Sequence, residues 1–149
     1  KMLVLDVFKK SGETINDGMD ISLCRIDQNT KEVQWSGANN PLWYVQNGEL
    51  KNIRADKQHI GKTDVSKPFT SHLLPISNDT TLYLFTDGLA DQFGGPHGKK
   101  FKIKQFCDMI LKNATLTLQQ QANVFDEEFM EWKGELEQVD DVCVIGIKI

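Results

Sequence analysis

The chain has 149 residues, a one-domain length that can bury a core without disulfides or a structural metal. Hydrophobic residues make up 40% and charged residues 26%, and the net charge of -4 argues against a protein that coats nucleic acid or anionic membrane. No apolar run approaches the roughly 20 residues of a transmembrane helix, and the scattered Cys24, Cys107 and Cys143 read as reduced thiols of a cytoplasmic protein.

At the start, "MLVLDVF" looks like the tail of an apolar helix, so an N-terminal piece of the domain is expected outside these residues. A loop, "SGETINDGMD", follows. Residues 20–27 ("DISLCRID") and 32–40 ("EVQWSGANN") read as two strands joined by the turn "QNTK", and Pro41 separates them from a third, "LWYV". Asn47-Gly48 then makes a hairpin turn into "LKNIRA". After a looser segment, "DKQHIGKTDVSKP", come two more strands, "FTSHLLPI" and "TLYLFT", joined by "SNDT".

From Lys99 the apolar spacing becomes helical, with Ile103, Phe106, Cys107 and Ile110 on one face. A second helix opens on a capping box formed by Thr117 and Gln120. It carries a stripe of Leu118, Ala122, Phe125, Phe129 and Trp132, and Gly134 stops it. The last segment, "DDVCVIGIKI", is apolar without alternation from Val142 to Ile145, as in a central strand covered on both faces. Strands joined by short turns pair antiparallel, and strands followed by two helices and one strand give an α+β order.

Two of the buried strands are bounded by acids. "LYLF" runs into Thr86-Asp87-Gly88, and Asp140-Asp141 open the last strand. If these strands pair antiparallel, Asp87 and Asp140 meet at one rim of the sheet. Clustered carboxylates repel and call for a cation, and hard oxygen donors suit Mg²⁺ or Mn²⁺. Yet Asp-Gly is also a common turn pair, and Asp-Asp can simply keep a sheet edge soluble, so spacing alone leaves both readings open. Lys99, Lys100, Lys102 and Lys104 are either the solvated face of a helix or a patch that attracts a phosphate-bearing partner. His59, His72 and His97 are too dispersed for a ligand set. "GGPHGKK" lacks the P-loop spacing, and Ser36-Gly37-Ala38 lacks the second glycine of a nucleophile elbow.

Taken together, "LYLFTDGLADQFGG" and "QVDDVCVIGIKI", with "DGMDISLCRID", "SGANNPLWYV" and "WKGELEQVDD", resemble the PPM-type metal-dependent serine/threonine phosphatases of the bacterial SpoIIE-like branch. The resemblance runs from about Asp17 to Ile149. It implies an antiparallel β-sandwich flanked by helices, in a single domain over residues 1–149 that is truncated at its N-terminus. Asp87 and Asp140 match the family's metal-binding aspartates. Asp91 matches an acid of a third, weaker metal position, and Asp141 a supporting residue. The cofactor implied is a pair of Mn²⁺ or Mg²⁺ ions. The activity implied is hydrolysis of phosphoserine or phosphothreonine on a regulatory protein partner, without a covalent enzyme intermediate.

The same resemblance implies the output domain of a bacterial signalling protein, of two-component or sensor type. Sensor or regulatory domains would be fused in the parent protein, and the location would be cytoplasmic, including the cytoplasmic portion of a membrane-bound sensor. The family's earlier motif, an Asp before a Gly-His-Gly-like turn whose aspartate contacts both metals, is not found here. The expectation is therefore an incomplete two-metal site with weak or no activity in this fragment, and self-association, as a homodimer, through an unpaired sheet edge. The alternative is a non-catalytic, phosphatase-like binding or dimerisation module.

Overall fold

A computed structural model describes residues 18–61, 67–74, 76–77 and 79–149. The expected helix tail "MLVLDVF" and most of the loop after it lie outside the described residues. In chain order the elements are β1 (Gly18–Met19), β2 (Ile21–Ile26), β3 (Val33–Ala38), β4 (Leu42–Gln46), β5 (Glu49–Ile53), β6 (Ile60–Gly61), β7 (His72–Leu74), β8 (Thr81–Phe85), α1 (Gly88–Asp91), β9 (Phe93–Gly94), β10 (Lys99–Lys100), α2 (Lys102–Lys112), α3 (Leu118–Lys133) and β11 (Val144–Lys148). The α+β class with antiparallel sheets is as expected. The chain divides into two compact units, the described parts of Lys1–Leu42 with Asn52–Ile76, and Trp43–Lys51 with Ser77–Ile149.

In the first unit β2, β3 and β7 form an antiparallel sheet in the order β2-β3-β7, and β1 pairs with β6. Asp27 closes the β2–β3 turn by accepting bonds from the backbone N–H groups of Asn29 and Thr30. The bonds from Thr30 and then Asn29 hold its carboxyl below the usual range. Trp35 is buried on β3, its indole N–H donates to Ser22 Oγ at 2.7 Å, and its ring tilts against His72.

In the second unit the sheet order is β11-β8-β4-β5. The β4–β5 turn places Asn47 and Gly48 at φ of 54° and 75°, the left-handed conformations that a two-residue hairpin requires. β8 is buried almost throughout. Phe85 at its end meets Trp43 and Phe106 edge to face, and Phe106 meets Phe125 in the same way. This aromatic chain ties the sheet to α2 and α3. The Thr117–Gln120 capping box starts α3, and Gly134 ends it with a positive φ.

Three details differ from the sequence expectation. First, Lys99 and Lys100 pair with β9 as a strand, so α2 starts at Lys102. Its buried face is Phe106, Met109 and Ile110, while Ile103 is exposed and Cys107 only half-buried. Second, Gln121 replaces Ala122 in the buried stripe of α3. Tyr83 donates its hydroxyl to Gln121 Oε1 at 2.7 Å, and Gln121 Nε2 donates to the Leu116 carbonyl, so a polar side chain is satisfied inside. Burial pushes the Tyr83 phenol above its ordinary value, against the opposing effect of the Gln121 bond. Third, β11 is the outermost strand of the described sheet and not a central one, and Ile145 is exposed.

Phe106 is fully buried between two other rings. Phe106→Ala is expected to cost about 3–5 kcal/mol in urea unfolding. Leu111→Ala, at an exposed position on the same helix, should stay within about 0.5 kcal/mol.

Candidate functional site

β8 delivers its last residues to a rim where the chain must turn. Phe85 is opposite Val144 in the β8–β11 ladder. One residue on, the Thr86 N–H donates to the Cys143 carbonyl at 3.0 Å. The Thr86 hydroxyl donates to the Asp141 carbonyl at 2.8 Å and accepts from the Cys143 N–H at 2.9 Å. Asp87 and Gly88 therefore stand beside the Asp141–Val142 backbone. A Cβ on Gly88 would lie 2.5 Å from the Asp141 carbonyl oxygen, so only glycine permits this approach.

Asp87 occupies the N-cap position of α1, but its side chain makes no capping bond. It is exposed, and among the described residues no hydrogen bond holds its carboxylate. Asp140 and Asp141 are exposed at the same rim. Asp140 Oδ1 accepts from the Asp141 N–H at 2.7 Å, and Gln138 Nε2 donates to the Asp140 carbonyl. The expected meeting of the two acidic segments is thus observed. The Asp91 carboxylate is paired to Lys100 at 3.1 Å. Among the described residues no set of three His, Cys, Asp or Glu side chains is grouped to hold a metal ion.

Gln92, directly after α1, had no role in the sequence reading. It is fully buried. Its amide donates to the Phe93 and Glu137 carbonyls at 3.0 and 2.9 Å, and its Oε1 accepts from the Val139 N–H at 3.3 Å. Its sequence signal was slight, a single glutamine between Asp91 and Phe93. Lys99, Lys100, Lys102 and Lys104 are all exposed. His72 packs on Trp35 and His97 is exposed, so neither joins the acids. Burial pushes the Cys107 thiol up to about 11 and raises that of Cys24 as well, which makes both poor nucleophiles at neutral pH.

The SpoIIE family profile (Stage II sporulation protein E) matches residues 6–149. The chain belongs to the SpoIIE family. Solved phosphatase domains share its fold. The SiaA-PP2C domain of Pseudomonas aeruginosa is 29% identical with a TM-score of 0.82, over 91% of this chain and 53% of that one. The phosphatase domain of SpoIIE from Bacillus subtilis, presoaked with Mn, is 17% identical with a TM-score of 0.61, over 100% of this chain and 66% of that one. The PPM Ser-Thr phosphatase MsPP from Mycobacterium smegmatis, in complex with cacodylate, is 13% identical with a TM-score of 0.62, over 96% of this chain and 68% of that one. The chain thus spans only about half of the SiaA domain's length. No curated protein matches it.

This SpoIIE-family chain carries the PP2C-type phosphatase fold. A divalent hard cation is expected for that family, and the rim fits it in kind, because its donors are carboxylate oxygens with no His or Cys ligand set beside them. It does not fit in number, since the described acids fall short of a full coordination sphere.

Gly88→Ala is expected to force the Asp141 backbone away. Overpacking of this kind costs about 1–3 kcal/mol, and the amide resonances of residues 140–142 should shift. Unchanged stability and unchanged resonances would show that the approach of the two segments is looser than described.

Proposed function

We propose that this chain is part of a metal-dependent phosphatase domain that hydrolyses phosphoserine or phosphothreonine on a protein partner, as the output domain of a bacterial signalling protein. The observation that supports it is the β8–β11 pairing, which sets Asp87 against the Asp140–Asp141 segment at an exposed rim. Asp87 and Asp140 are the proposed ligands of Mn²⁺ or Mg²⁺, and Asp141 supports them through the rim backbone. Asp91, paired with Lys100, is the proposed ligand of a third, weaker position. Bound there, such ions acidify a water and neutralise charge on phosphoryl oxygens.

The chain's own residues hold and aim. The carboxylates fix the position of the cations. The exposed Lys99, Lys102 and Lys104 attract the phosphate-bearing partner by long-range charge. The proposed hydrolysis uses water as the nucleophile and forms no covalent enzyme intermediate. Because the described acids make only part of a coordination sphere, the 149 residues alone are proposed to bind metal weakly and turn over slowly.

In the full-length protein, Asp87→Asn and Asp140→Asn should each lower Mn²⁺-dependent turnover by more than the roughly 100-fold that loss of an outer-shell partner costs. Circular dichroism and melting temperature should hold. An Asp140→Asn enzyme with undiminished turnover would remove that residue from the site. Robust Mn²⁺-dependent hydrolysis of p-nitrophenyl phosphate by the 149 residues alone would refute the idea of an incomplete site.

A further inference from the structure

We infer that Thr86 and Gln92 are positioning residues that set the metal affinity of the rim by fixing one acidic segment against the other. The inference rests on the proposed ligand roles of Asp87 and Asp140.

The two acidic segments are distant in sequence and carry like charges. Like charges do not draw the segments together, so other contacts set their spacing. The backbone pairing runs one bond past Phe85, from the Thr86 N–H to the Cys143 carbonyl, and the chain then turns into α1. Past that bond the hydrogen bonds to the Glu137–Asp141 segment run through the Thr86 and Gln92 side chains.

Thr86 makes the first. Its hydroxyl uses one donor and one acceptor, giving to the Asp141 carbonyl and taking from the Cys143 N–H. It thereby extends the pairing with the β11 strand past the place where the β8 backbone departs. Gln92 makes the second from the other side of Asp87. Its amide meets the Glu137 carbonyl and the Val139 N–H, as a neighbouring strand would. Only a neutral amide does this. Leucine has no polar atom to offer, and an ionised glutamate has no donor for the Glu137 carbonyl.

Gln92 is itself pinned. Its carbonyl accepts from the Phe101 N–H at 2.9 Å and from the Trp132 indole at 3.2 Å. A fully buried amide is costly unless every atom is paired, and here both ends are. The segment that carries Asp140 and Asp141 is thus gripped before the acids by Gln92 and after them by Thr86. Both grips come from the residues that flank Asp87 and α1. A shift at either changes the spacing between proposed ligands without touching a ligand.

The test uses the full-length protein and Mn²⁺ alone, with free Mn²⁺ read by electron paramagnetic resonance so that affinity is measured apart from turnover. Thr86→Val keeps the shape and removes the hydroxyl, and Thr86→Ser restores it. Thr86→Val should weaken Mn²⁺ binding about 10- to 100-fold, the range for groups that orient metal ligands. Thr86→Ser should return it to within a few-fold of the parent, and both proteins should stay folded. Gln92→Met, of similar length, should weaken binding in the same direction, and it serves as the second variant if Thr86→Val does not fold.

A folded Thr86→Val or Gln92→Met protein with parental Mn²⁺ affinity overturns the positioning role, whatever its stability. Failure of Thr86→Ser to recover binding overturns it too. Asp87→Asn separates the two levels. If it also leaves Mn²⁺ affinity intact, the ligand reading has failed and the positioning role falls with it. If it abolishes binding while Thr86→Val does not, only the positioning role is lost.

Discussion

The antiparallel ladder between β8 and β11 is the constraint on which the rest depends. Its register, with Val144 opposite Phe85 and Lys148 opposite Thr81, sets the end of one strand beside the start of the other. Closing so long a loop costs entropy that local hydrogen bonds do not offset by themselves. The offset comes from the core on which the ladder lies. Tyr83 and Phe85 project from β8 into a cluster with Phe106, Met109, Ile110, Phe125 and Phe129, so α2 and α3 hold the sheet in place. Packing beneath the sheet therefore fixes geometry at its rim.

Aspartates in the described chain do different work. Asp27 is used by its turn, since its carboxylate takes two backbone N–H groups and its pKa falls as a result. Asp56 is used in a loop, with both oxygens bonded to Thr70. Asp87 sits at a helix start, where a carboxylate would ordinarily cap, and makes no such bond. Among the described residues its carboxylate accepts no hydrogen bond. That contrast, more than the Asp-Gly pair, separates a turn residue from a candidate ligand.

Much of this was legible in the sequence, because local rules agreed with tertiary structure. The Asn47-Gly48 turn, the Thr117 capping box and the strand "TLYLF" carry strong short-range signals. The meeting of Asp87 with the Asp140–Asp141 segment followed from antiparallel pairing alone. What escaped was decided by partners remote in sequence. Gln121 is buried in place of Ala122 because Tyr83 lies opposite it. Met109 is buried on α2 while Ile103 is exposed, and Lys99 and Lys100 pair with β9. Asp91 entered as a third metal position through the family resemblance, and its pairing with Lys100 in the fold had no signal in the sequence. Gln92 and the Thr86 hydroxyl act through backbone atoms of another segment, and no periodicity records such bonds.

The layout of charge bears on what the rim would accept. The chain is acidic overall, with a net charge of -4, and a bare acidic rim repels a phosphate monoester. On the proposed function, cations bound by the carboxylates would reverse that sign locally. The lysines of β10 and early α2 add attraction nearby, and the Asp91–Lys100 pair at 3.1 Å joins the two regions. At an exposed site such a pair contributes little stability, about 0–1 kcal/mol, so its value lies in placement. Acids alone would suit a metal-binding site, and lysines alone an anion-binding patch. The two segments are fixed to one buried glutamine through the Phe101 N–H and the Val139 N–H, and on the proposed function they would serve metal and phosphate in one site.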